Sequence, residues 1–319
     1  MAERAVSFAP ASIGNVAVGF DLLGLAIEGV GDRVEARRTA TPGITIDAVR
    51  AADGSPLPDL SADPARNTAS IAAQRLWDRH GGAGGAALTV VKGVPLQSGM
   101  GSSAASAVAA VVAVNALFDR PLRHEALLGY ALEGERFASG GGLHADNVAP
   151  SLLGGLILCP PVFLPDVVRL PSPAGIRAVV LHPELRVDTA EARRGLRQDY
   201  RLHEWVEQQG YLAAFVAACA ADDIDLLGRA LRDVLIEPQR VGAVPCFEAV
   251  RDAALLQGAL GASLSGSGPS IFALAERDRA APVAAAMAAA CRAAGIDCQT
   301  WISTMTAPGA RIESVDAKS

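Results

Sequence analysis

The chain has 319 residues, of which 50% are hydrophobic, so it can bury a large core as one large or two medium domains. Its net charge is −6 and its basic residues form no run, which argues against nucleic acid and anionic membranes as partners. No apolar run approaches the ~20 residues of a membrane span, no signal-peptide core begins the chain, and the five cysteines form no Cys-x-x-Cys pair. We therefore expect a cytoplasmic protein with reduced thiols and no zinc site.

A glycine-punctuated turn follows the first predicted strand, Arg4–Pro10. The apolar run after it, Phe20–Ile27, is interrupted by Asp21. A carboxylate in such a run is paired, solvated in a cleft or used by the protein. Asp21 therefore either contributes to a site or caps a helix that begins at Leu22. Asn15 is, in the same way, either a turn residue or a ligand.

The following segments show strand and helix patterns in turn. In order, they predict strands at Arg33–Arg37 and Ile44–Val49, an exposed loop at Ala51–Asp63, a helix at Asn67–Arg79 and a strand at Ala86–Val91. The last of these strands leads directly into a glycine-rich segment.

That segment, Val94–Val108, has the sequence VPLQSGMGSSAASAV and continues as a buried, Ala/Val-rich helix to Phe118. A glycine-rich turn before a helix leaves backbone N–H groups unpaired at the positive end of the helix dipole, which suits phosphate. Ser102 and Ser103 can cap the helix, and one hydroxyl can reach a metal ion. The segment matches neither the Walker A loop nor G-x-G-x-x-G. Phosphate would therefore bind mainly to backbone and hydroxyl groups, and an ordinary capped helix start is the alternative.

A second helix is predicted at Arg123–Ala138, and a loop follows it. The run Gly140–Gly142 makes this loop mobile or closely packed against another segment. His144, Asp146 and Asn147 then place three polar groups within four positions. Each alone is explained as a hydrogen-bonded loop residue, but together, beside the glycines, they indicate a site.

The second half of the chain begins after an apolar strand, Leu152–Leu158, and a proline-rich stretch, Cys159–Pro173, where we place a domain boundary. The later predictions are a strand at Ile176–Leu181, helices at Val187–Arg197 and Tyr211–Ala221, a tight Gly-Ser turn at Ser265–Pro269 leading into a strand at Ile271–Ala275, a helix at Ala281–Gly295 and a strand at Gln299–Thr304. Because strands and helices do not alternate regularly, the pattern predicts an α+β fold.

Three motifs are spaced along the chain: GNVAVGFDLLG near the start, PLQSGMGSSAAS in the middle and LSGSGPSIFAL near the end. Their order and content resemble those of the GHMP small-molecule kinases, the family of galactokinase, homoserine kinase, mevalonate kinase and phosphomevalonate kinase. Within it, the chain is most similar to members that phosphorylate L-homoserine. That similarity is carried by Gly19-Phe20-Asp21, the run His144–Pro150, Thr189 with Arg193, Asp233, and Glu237-Pro238 before Arg240.

The resemblance implies a two-domain α+β fold with the active site in the cleft between the domains. Residues 1–165 would form an ATP-binding domain like domain 2 of ribosomal protein S5, and residues 166–319 a ferredoxin-like domain. MgATP would phosphorylate the side-chain hydroxyl of L-homoserine, and the product, O-phosphohomoserine, leads to threonine. Homodimers occur among relatives, although no feature of the sequence indicates an interface.

The resemblance also implies the residues that bind the nucleotide and its metal ion. Asn67 would lie near the adenine, and Ser265–Gly268 would brace the phosphate loop or touch the substrate. Ser103 and Glu135 would hold Mg²⁺, with Glu133 as the weaker alternative to Glu135. The residues around the triphosphate would be Pro95, Leu96, Gln97, Ser98, Gly99, Met100, Gly101, Ser102, Ser103, Ala104 and Ala105.

Homoserine is a zwitterion, so its site needs both signs of charge. By resemblance, Asp21 would pair with the ammonium group, helped by Asn15, and Arg193 and Arg240 would hold the carboxylate through their planar guanidinium groups. The remaining pocket residues would be His144, Asn147, Thr189 and Gly266.

The catalytic candidates are Asp146, Asn147 and Glu135. Some family members use an aspartate as general base, but homoserine kinases are thought to pass the hydroxyl proton to the phosphate itself. We therefore expect a structural or electrostatic role for Asp146.

Three other interpretations compete with this one. The chain can be another GHMP kinase, acting on a mevalonate-type acid or a sugar. It can be a nucleotide-binding pseudokinase without turnover, although Ser103 and Glu135 are present. Finally, the glycine-rich segments can be plain turns in a non-catalytic α+β protein.

Overall fold

The computed structural model describes residues 2–138 and 144–317, so the predicted run Gly140–Gly142 lies outside the described residues. The strands are β1 (Ala2–Gly14), β2 (Leu23–Thr39), β3 (Gly43–Ala51), β4 (Gly85–Lys92), β5 (Leu156–Leu158), β6 (Val168–Leu170), β7 (Ile176–Pro183), β8 (Ala259–Leu264), β9 (Ile271–Glu276), β10 (Cys298–Thr304) and β11 (Arg311–Ala317). The helices are α1 (Thr68–His80), α2 (Ser102–Asn115), α3 (Leu128–Ala138), α4 (Ala145–Leu153), α5 (Thr189–Arg194), α6 (Leu202–Ala221), α7 (Ile224–Ala230), α8 (Glu237–Arg240), α9 (Phe247–Leu256) and α10 (Ala280–Ala293). None of the helices within the described ranges combines the length and apolarity that a bilayer span requires.

The first sheet has the strand order β11-β1-β2-β4-β3, and β5 and β6 extend it from β2. The long strand β2 pairs with β5 through its first residues and with β4 through its last ones. Helices α1 to α4 pack with this sheet in one hydrophobic core. The central helix of that core is α2, in which every residue from Ala104 to Asn115 is buried. The Ala/Val-rich composition of α2 allows this close packing on all sides.

The second sheet has the order β10-β7-β9-β8, and all its neighbouring strands are antiparallel. The helix α9 is the last of the helices between β7 and β8, and α10 lies between β9 and β10. Together with the four strands, these two helices give the β-α-β-β-α-β order of ferredoxin-like folds, as predicted. Side chains alternate along β7: Val179 and Leu181 face α9 and α10, whereas Ala178 and Val180 join a second core. That second core also contains residues of β2 and α6, so it joins the two sheets.

The last strand, β11, returns to the first sheet and pairs with β1. The helix α9 and the strand β11 were not predicted. The division of the chain at residue 165 stays a prediction.

One of the two alternatives for Asp21 and the start of one predicted strand were wrong, and both have a physical reason. Asp21 caps no helix, because it has a positive φ of 58° in a turn and β2 begins two residues later. Leu152 belongs to α4 instead of the predicted strand, and α4 also includes Asp146 and Pro150. Pro150 has no N–H for the carbonyl of Asp146, and Gly24 of β2 approaches that carbonyl so closely that a Cβ at residue 24 would lie 1.7 Å from its oxygen.

A buried carboxylate fixes the start of the glycine-rich segment. Asp32, in β2, is fully buried, and its Oδ1 accepts hydrogen bonds from the amides of Gly93 (2.9 Å) and Val94 (3.0 Å). Its Oδ2 accepts from the hydroxyl of Ser106 in α2 (2.7 Å) and from the ammonium group of Lys92. The segment between β4 and α2 is therefore anchored at both ends by one side chain.

We predict that Asp32→Ala lowers the free energy of unfolding by about 3–5 kcal/mol, because it leaves the buried Lys92 ammonium without its counter-charge. Urea denaturation measures the change. The matched control is Asp47→Ala, which removes a strand carboxylate that pairs with Arg37 at the surface (3.0 Å). Exposed pairs contribute only about 0–1 kcal/mol, so an equal loss in both variants would contradict the anchoring role of Asp32.

Candidate active site

A cleft of about 560 Å³ lies where the two sheets meet, within the range of about 300–1,000 Å³ that small-molecule sites occupy. The turn after β1, the glycine-rich segment, the start of α4, α5, α8 and the β8–β9 turn all contribute to its wall. The predicted site residues that line it are Asn15, Asp21, Asn67, Leu96, Gln97, Ser98, Gly99, Gly101, Ser102, Ser103, Glu135, His144, Asp146, Asn147, Thr189, Arg193, Arg240 and Gly266.

Four residues predicted to surround the triphosphate are not part of the described lining: Pro95, Met100, Ala104 and Ala105. Met100, Ala104 and Ala105 are fully buried in the hydrophobic cores. Their side chains therefore support the segment from behind, and only their backbone atoms can face a nucleotide.

The N-terminus of α2 opens onto the cleft without a side-chain cap. Its N-cap is Gly101, with φ 67°, so the predicted capping by Ser102 or Ser103 is wrong. The Ser102 hydroxyl donates instead to the carbonyl of Val94 (3.1 Å), and that of Ser103 donates to Glu135 (2.7 Å). The first amides of a helix have no partner within the helix, so the uncapped end of α2 is suited to an anion.

The β8–β9 turn braces the glycine-rich segment, as predicted. The Ser265 hydroxyl donates to the carbonyl of Gly99 (2.7 Å), and the amide of Ser270 donates to that of Ser98 (3.0 Å). Gly99 has φ 76°, and a Cβ at that position would lie 2.3 Å from the carbonyl oxygen of Ser265. A glycine is therefore required at residue 99 for the two turns to touch.

Ser103 and Glu135 form a pair of oxygen donors at one side of the cleft. Burial raises the pKa of the Glu135 carboxyl to about 7, and the Asp146 carboxylate adds to the rise while the bond from Ser103 opposes it. One hydroxyl and one buried carboxylate are a donor set that fits Mg²⁺, which prefers oxygen ligands and keeps several waters. The alternative Glu133 is half-exposed beside Arg136 (3.9 Å) and is not part of the described cleft lining.

Asp146 is almost completely buried at the start of α4. Its Oδ2 accepts from the amide of Asn15 (3.1 Å), and its Oδ1 lies 3.4 Å from Nδ2 of Asn147. Asn147 in turn accepts from the hydroxyl of Ser12 (3.0 Å). Burial raises the pKa of Asp146 to about 7, and the charge of Asp21 raises it further.

Opposite charges meet on the other side of the cleft. Both carboxylate oxygens of Asp21 accept from the guanidinium of Arg193, with Nη1 3.0 Å from Oδ1. This bond raises the pKa of Arg193. Nη1 of Arg193 also lies 3.2 Å from Nε2 of His144, whose pKa is lowered mainly by burial. Since a guanidinium only donates, a neutral His144 accepts this bond.

Arg240 adds a second guanidinium to this side of the cleft, and one of its N–H groups has no hydrogen-bond acceptor among the described residues. It is buried, and its Nη1 donates to the carbonyl of Gly266 (3.0 Å). Its Nε has no hydrogen-bond partner among the described residues. A buried unpaired donor indicates a partner that the protein itself does not supply. Of the two guanidiniums, only that of Arg193 is bonded to a carboxylate in the described hydrogen-bond network, so Arg240 leaves this side of the cleft suited to an anion.

Asn15 and Thr189 are held by the β8–β9 turn. The Asn15 side chain donates to the carbonyl of Gly266 (3.0 Å) and accepts from the amide of Asp21 (3.0 Å), so it fixes the turn that carries Asp21. The hydroxyl of Thr189 lies 3.2 Å from that of Ser267, which belongs to the predicted segment Ser265–Gly268 and also lines the cleft.

The remaining part of the cleft was largely missed by the sequence analysis. The polar segment predicted as an exposed loop supplies Asp59, Leu60 and Ser61 to the lining, Arg66 follows that segment, and α3 supplies Phe137. Asn67 lies beside them, where its side chain accepts from the amide of Ala69 as the N-cap of α1. The available signal was Leu60 itself, together with Leu57, since both pack against the first core from within a polar stretch.

Comparisons with known proteins agree on one family. The model of the GHMP kinases N terminal domain matches residues 67–155, and that of the GHMP kinases C terminal matches residues 202–293. A homoserine kinase of Xylella fastidiosa (strain M12) is 46% identical over 312 residues, covering 98% of this chain and 94% of the relative. A homoserine kinase of Chloroherpeton thalassium is 39% identical over 321 residues, covering 97% and 99%. The crystal structure of homoserine kinase from Cytophaga hutchinsonii matches with a TM-score of 0.92 at 39% identity over 98% of each chain. The chain therefore belongs to the GHMP kinase family and, within it, to the homoserine kinases.

Proposed function

We propose that this protein transfers the γ-phosphoryl group of ATP to the side-chain hydroxyl of L-homoserine and releases O-phospho-L-homoserine. The observation that carries the proposal is that one cleft combines an uncapped helix end with a separate pair of opposite charges. The first feature suits a triphosphate and the second an amino acid. The names of the relatives, which are 39–46% identical over nearly their whole length, support the same substrate.

The nucleotide would lie along the glycine-rich segment. Backbone amides at Ser98–Ser103 and the electropositive end of α2 would hold the phosphates, without a basic side chain from the segment. The adenine would lie at the end of the cleft formed by Leu60, Asn67 and Phe137. Apolar and aromatic side chains with one polar group at hand suit a purine base.

Ser103 and Glu135 would hold Mg²⁺, which when bound neutralises charge on the phosphate oxygens. Their hydrogen bond of 2.7 Å keeps both oxygens on the same side of the cleft. The buried Glu135 carboxylate supplies negative charge where a cation is to bind.

Homoserine would place its ammonium group against Asp21 and its carboxylate against Arg193 and Arg240. Asp21 and Arg193 bond to each other in this structure. A zwitterion can replace both halves of that bond at once, whereas a ligand with one charge leaves the other protein group unpaired. The site therefore favours amino acids over simple acids, amines or sugars.

Phosphoryl transfer depends mainly on positioning and charge neutralisation. The turn that carries Asn15 and Asp21 is bonded to Asp146 and to Gly266, so the substrate side of the cleft is fixed relative to the phosphate side. We infer that Asp146 acts through this fixed geometry and its field, and that the hydroxyl proton passes to the phosphate.

The substrate is tested by a coupled assay of ADP release with L-homoserine, mevalonate and galactose as acceptors. We expect kcat/KM for L-homoserine to exceed the others by at least about 100-fold, because only homoserine matches both charges. A preference for mevalonate or galactose would overturn the proposed substrate. Failure of every acceptor to raise ADP release would instead favour a pseudokinase.

The variant Asp21→Ala tests whether the site recognises the ammonium group of the acceptor. Removing one partner of a hydrogen-bonded charge pair costs about 2–5 kcal/mol, so KM for homoserine should rise at least about tenfold while KM for ATP changes little. Asp47→Ala, which lies outside the described cleft lining, should leave both KM values unchanged. An acceptor without an ammonium group would make Asp21→Ala nearly silent.

For the metal site, we predict that Glu135→Gln lowers kcat by about 10²–10³-fold at saturating ATP, since it removes a charge aimed at the transferring group. Glu133→Gln is the matched control on the same helix and should retain activity. Titration of Mg²⁺ in the assay should show weakened metal dependence only for the Glu135 variant. The reverse result would assign the metal to Glu133.

For Asp146, we predict that Asp146→Asn lowers kcat by less than about 100-fold with both KM values retained. A pKa of about 7 also suits a general base. The size of the loss in kcat therefore distinguishes a positioning role of Asp146 from a role as general base. A dedicated base contributes about 10²–10⁴-fold. A loss of several orders of magnitude, with an unchanged circular dichroism spectrum, would show that Asp146 takes the proton.

A further inference from the structure

One aromatic ring lies within cation–π distance of both guanidiniums of the cleft. The ring of Phe20 has Cζ of Arg193 at 5.4 Å and Cζ of Arg240 at 5.3 Å from its centroid. Both distances are within the ~6 Å of a cation–π contact. Phe20 immediately precedes Asp21 in the turn after β1 and is half-buried. None of the functional assignments above uses it.

Phe20 also joins the chain segments that carry the charged groups. It packs against Leu196, Leu235 and Ile236 in a small hydrophobic cluster that is separate from the three larger cores. Leu196 lies just after Arg193, and Leu235 and Ile236 lie just before Arg240. The same side chain therefore ties both arginine-bearing segments to the turn that carries Asp21.

The chemistry of a guanidinium gives this arrangement a use. Its N–H groups all lie in its plane, at the edge of the group, and an aromatic ring attracts its face. A ring can therefore hold a guanidinium without consuming its donors. That matters for Arg240, whose Nε has no partner among the described residues.

The two guanidiniums also repel each other, and only one carboxylate, Asp21, is bonded to them in the described hydrogen-bond network. Burial lowers the pKa of Arg240, and the nearby charge of Arg193 lowers it further, although Asp21, Asp233 and Asp146 oppose the change. A shared aromatic ring offsets part of this cost. The pair can then stay together in the position where one carboxylate satisfies both.

We propose that Phe20 is a positioning residue that presents the Arg193 and Arg240 edges to the carboxylate of the amino-acid substrate. This inference rests on the proposed function, because the carboxylate is that of the acceptor. Phe20 acts through the two arginines and touches no reacting atom, so it should affect substrate binding and leave the phosphoryl-transfer step unchanged.

The chain contains a second arrangement of the same kind that serves as a control. The ring of Phe8 has Cζ of Arg33 at 5.0 Å and Cζ of Arg311 at 4.3 Å from its centroid. There, Glu313 pairs with Arg33 (2.8 Å) and with Arg311 (3.6 Å), so both cations already have an anionic partner. Phe8 lies outside the described lining of the cleft.

The test compares Phe20→Leu, Phe20→Tyr and Phe8→Leu with the wild type in steady-state kinetics and thermal unfolding. Leucine keeps an apolar side chain in the cluster but has no aromatic face, whereas tyrosine keeps the ring. We expect Phe20→Leu to raise KM for homoserine about tenfold, the scale of two cation–π contacts, with kcat and KM for ATP within about twofold of the wild type. Phe20→Tyr should keep KM for homoserine within about threefold of the wild-type value. Phe8→Leu should change neither KM for homoserine nor KM for ATP.

Three results would overturn the inference. One is an unchanged KM for homoserine in Phe20→Leu. Another is an equal rise of both KM values with a lowered melting temperature, which indicates a structural role alone. The third is a KM for homoserine in Phe20→Tyr that is raised as much as in Phe20→Leu, while the melting temperature of Phe20→Tyr equals that of the wild type. Wild-type activity on homoserine tests the proposed function separately, and if the wild type neither phosphorylates nor binds homoserine, both proposals fail.

Discussion

The geometry of the phosphate side depends on the carboxylate of Asp32. A fully buried carboxylate must be hydrogen-bonded, and its donors are the amides of Gly93 and Val94, the hydroxyl of Ser106 and the ammonium group of Lys92. These donors lie at the end of β4 and in the second turn of α2. The segment between them therefore cannot shift along the helix without leaving a charge unpaired in the core. A segment that presents backbone amides to an anion needs this rigidity, because it has no long basic side chain with which to follow the ligand.

The charges of the cleft are arranged in two groups that would serve different parts of the proposed reaction. Glu135 and Asp146 are buried, and burial raises their pKa values to about 7 because it disfavours the charged carboxylates. A bound cation would favour the charged forms again, so this region is suited to one. Arg193 and Arg240 provide positive charge on the opposite side, next to Asp21. A phosphate donor with a divalent cation matches the first group, and a zwitterionic acceptor matches the second. In the proposed reaction, substrate choice and phosphate activation would therefore be carried by separate side chains.

Features encoded by neighbouring residues were predictable, and features that depend on distant contacts were not. The helix α2, the turn at Ser265–Pro269 and the strands β7, β9 and β10 of the second sheet follow from local glycine, serine and apolar patterns. The helix α4 was taken for a loop because Pro150 and the preceding glycines are local breaking signals. The close approach of Gly24 to the carbonyl of Asp146, which Pro150 leaves without a helical N–H partner, is a contact with a distant strand that no local pattern contains. The pairing of β11 with β1 joins opposite ends of the chain, so no local pattern contains it.

The arrangement of the charged pocket could not be predicted for the same reason, because it depends on contacts between distant parts of the chain. The residue types needed for a zwitterion are visible in the sequence, but the bond between Asp21 and Arg193 spans 172 positions. What brings them together is a set of main-chain contacts: the amide of Gly266 donates to Gly14, and the amide of Val187 donates to Gln97. These bonds connect the second half of the chain directly to the turn after β1 and to the phosphate segment. Because transfer requires donor and acceptor in a fixed near-attack geometry, the contacts that close the fold at this point also set the distance over which the phosphoryl group would move.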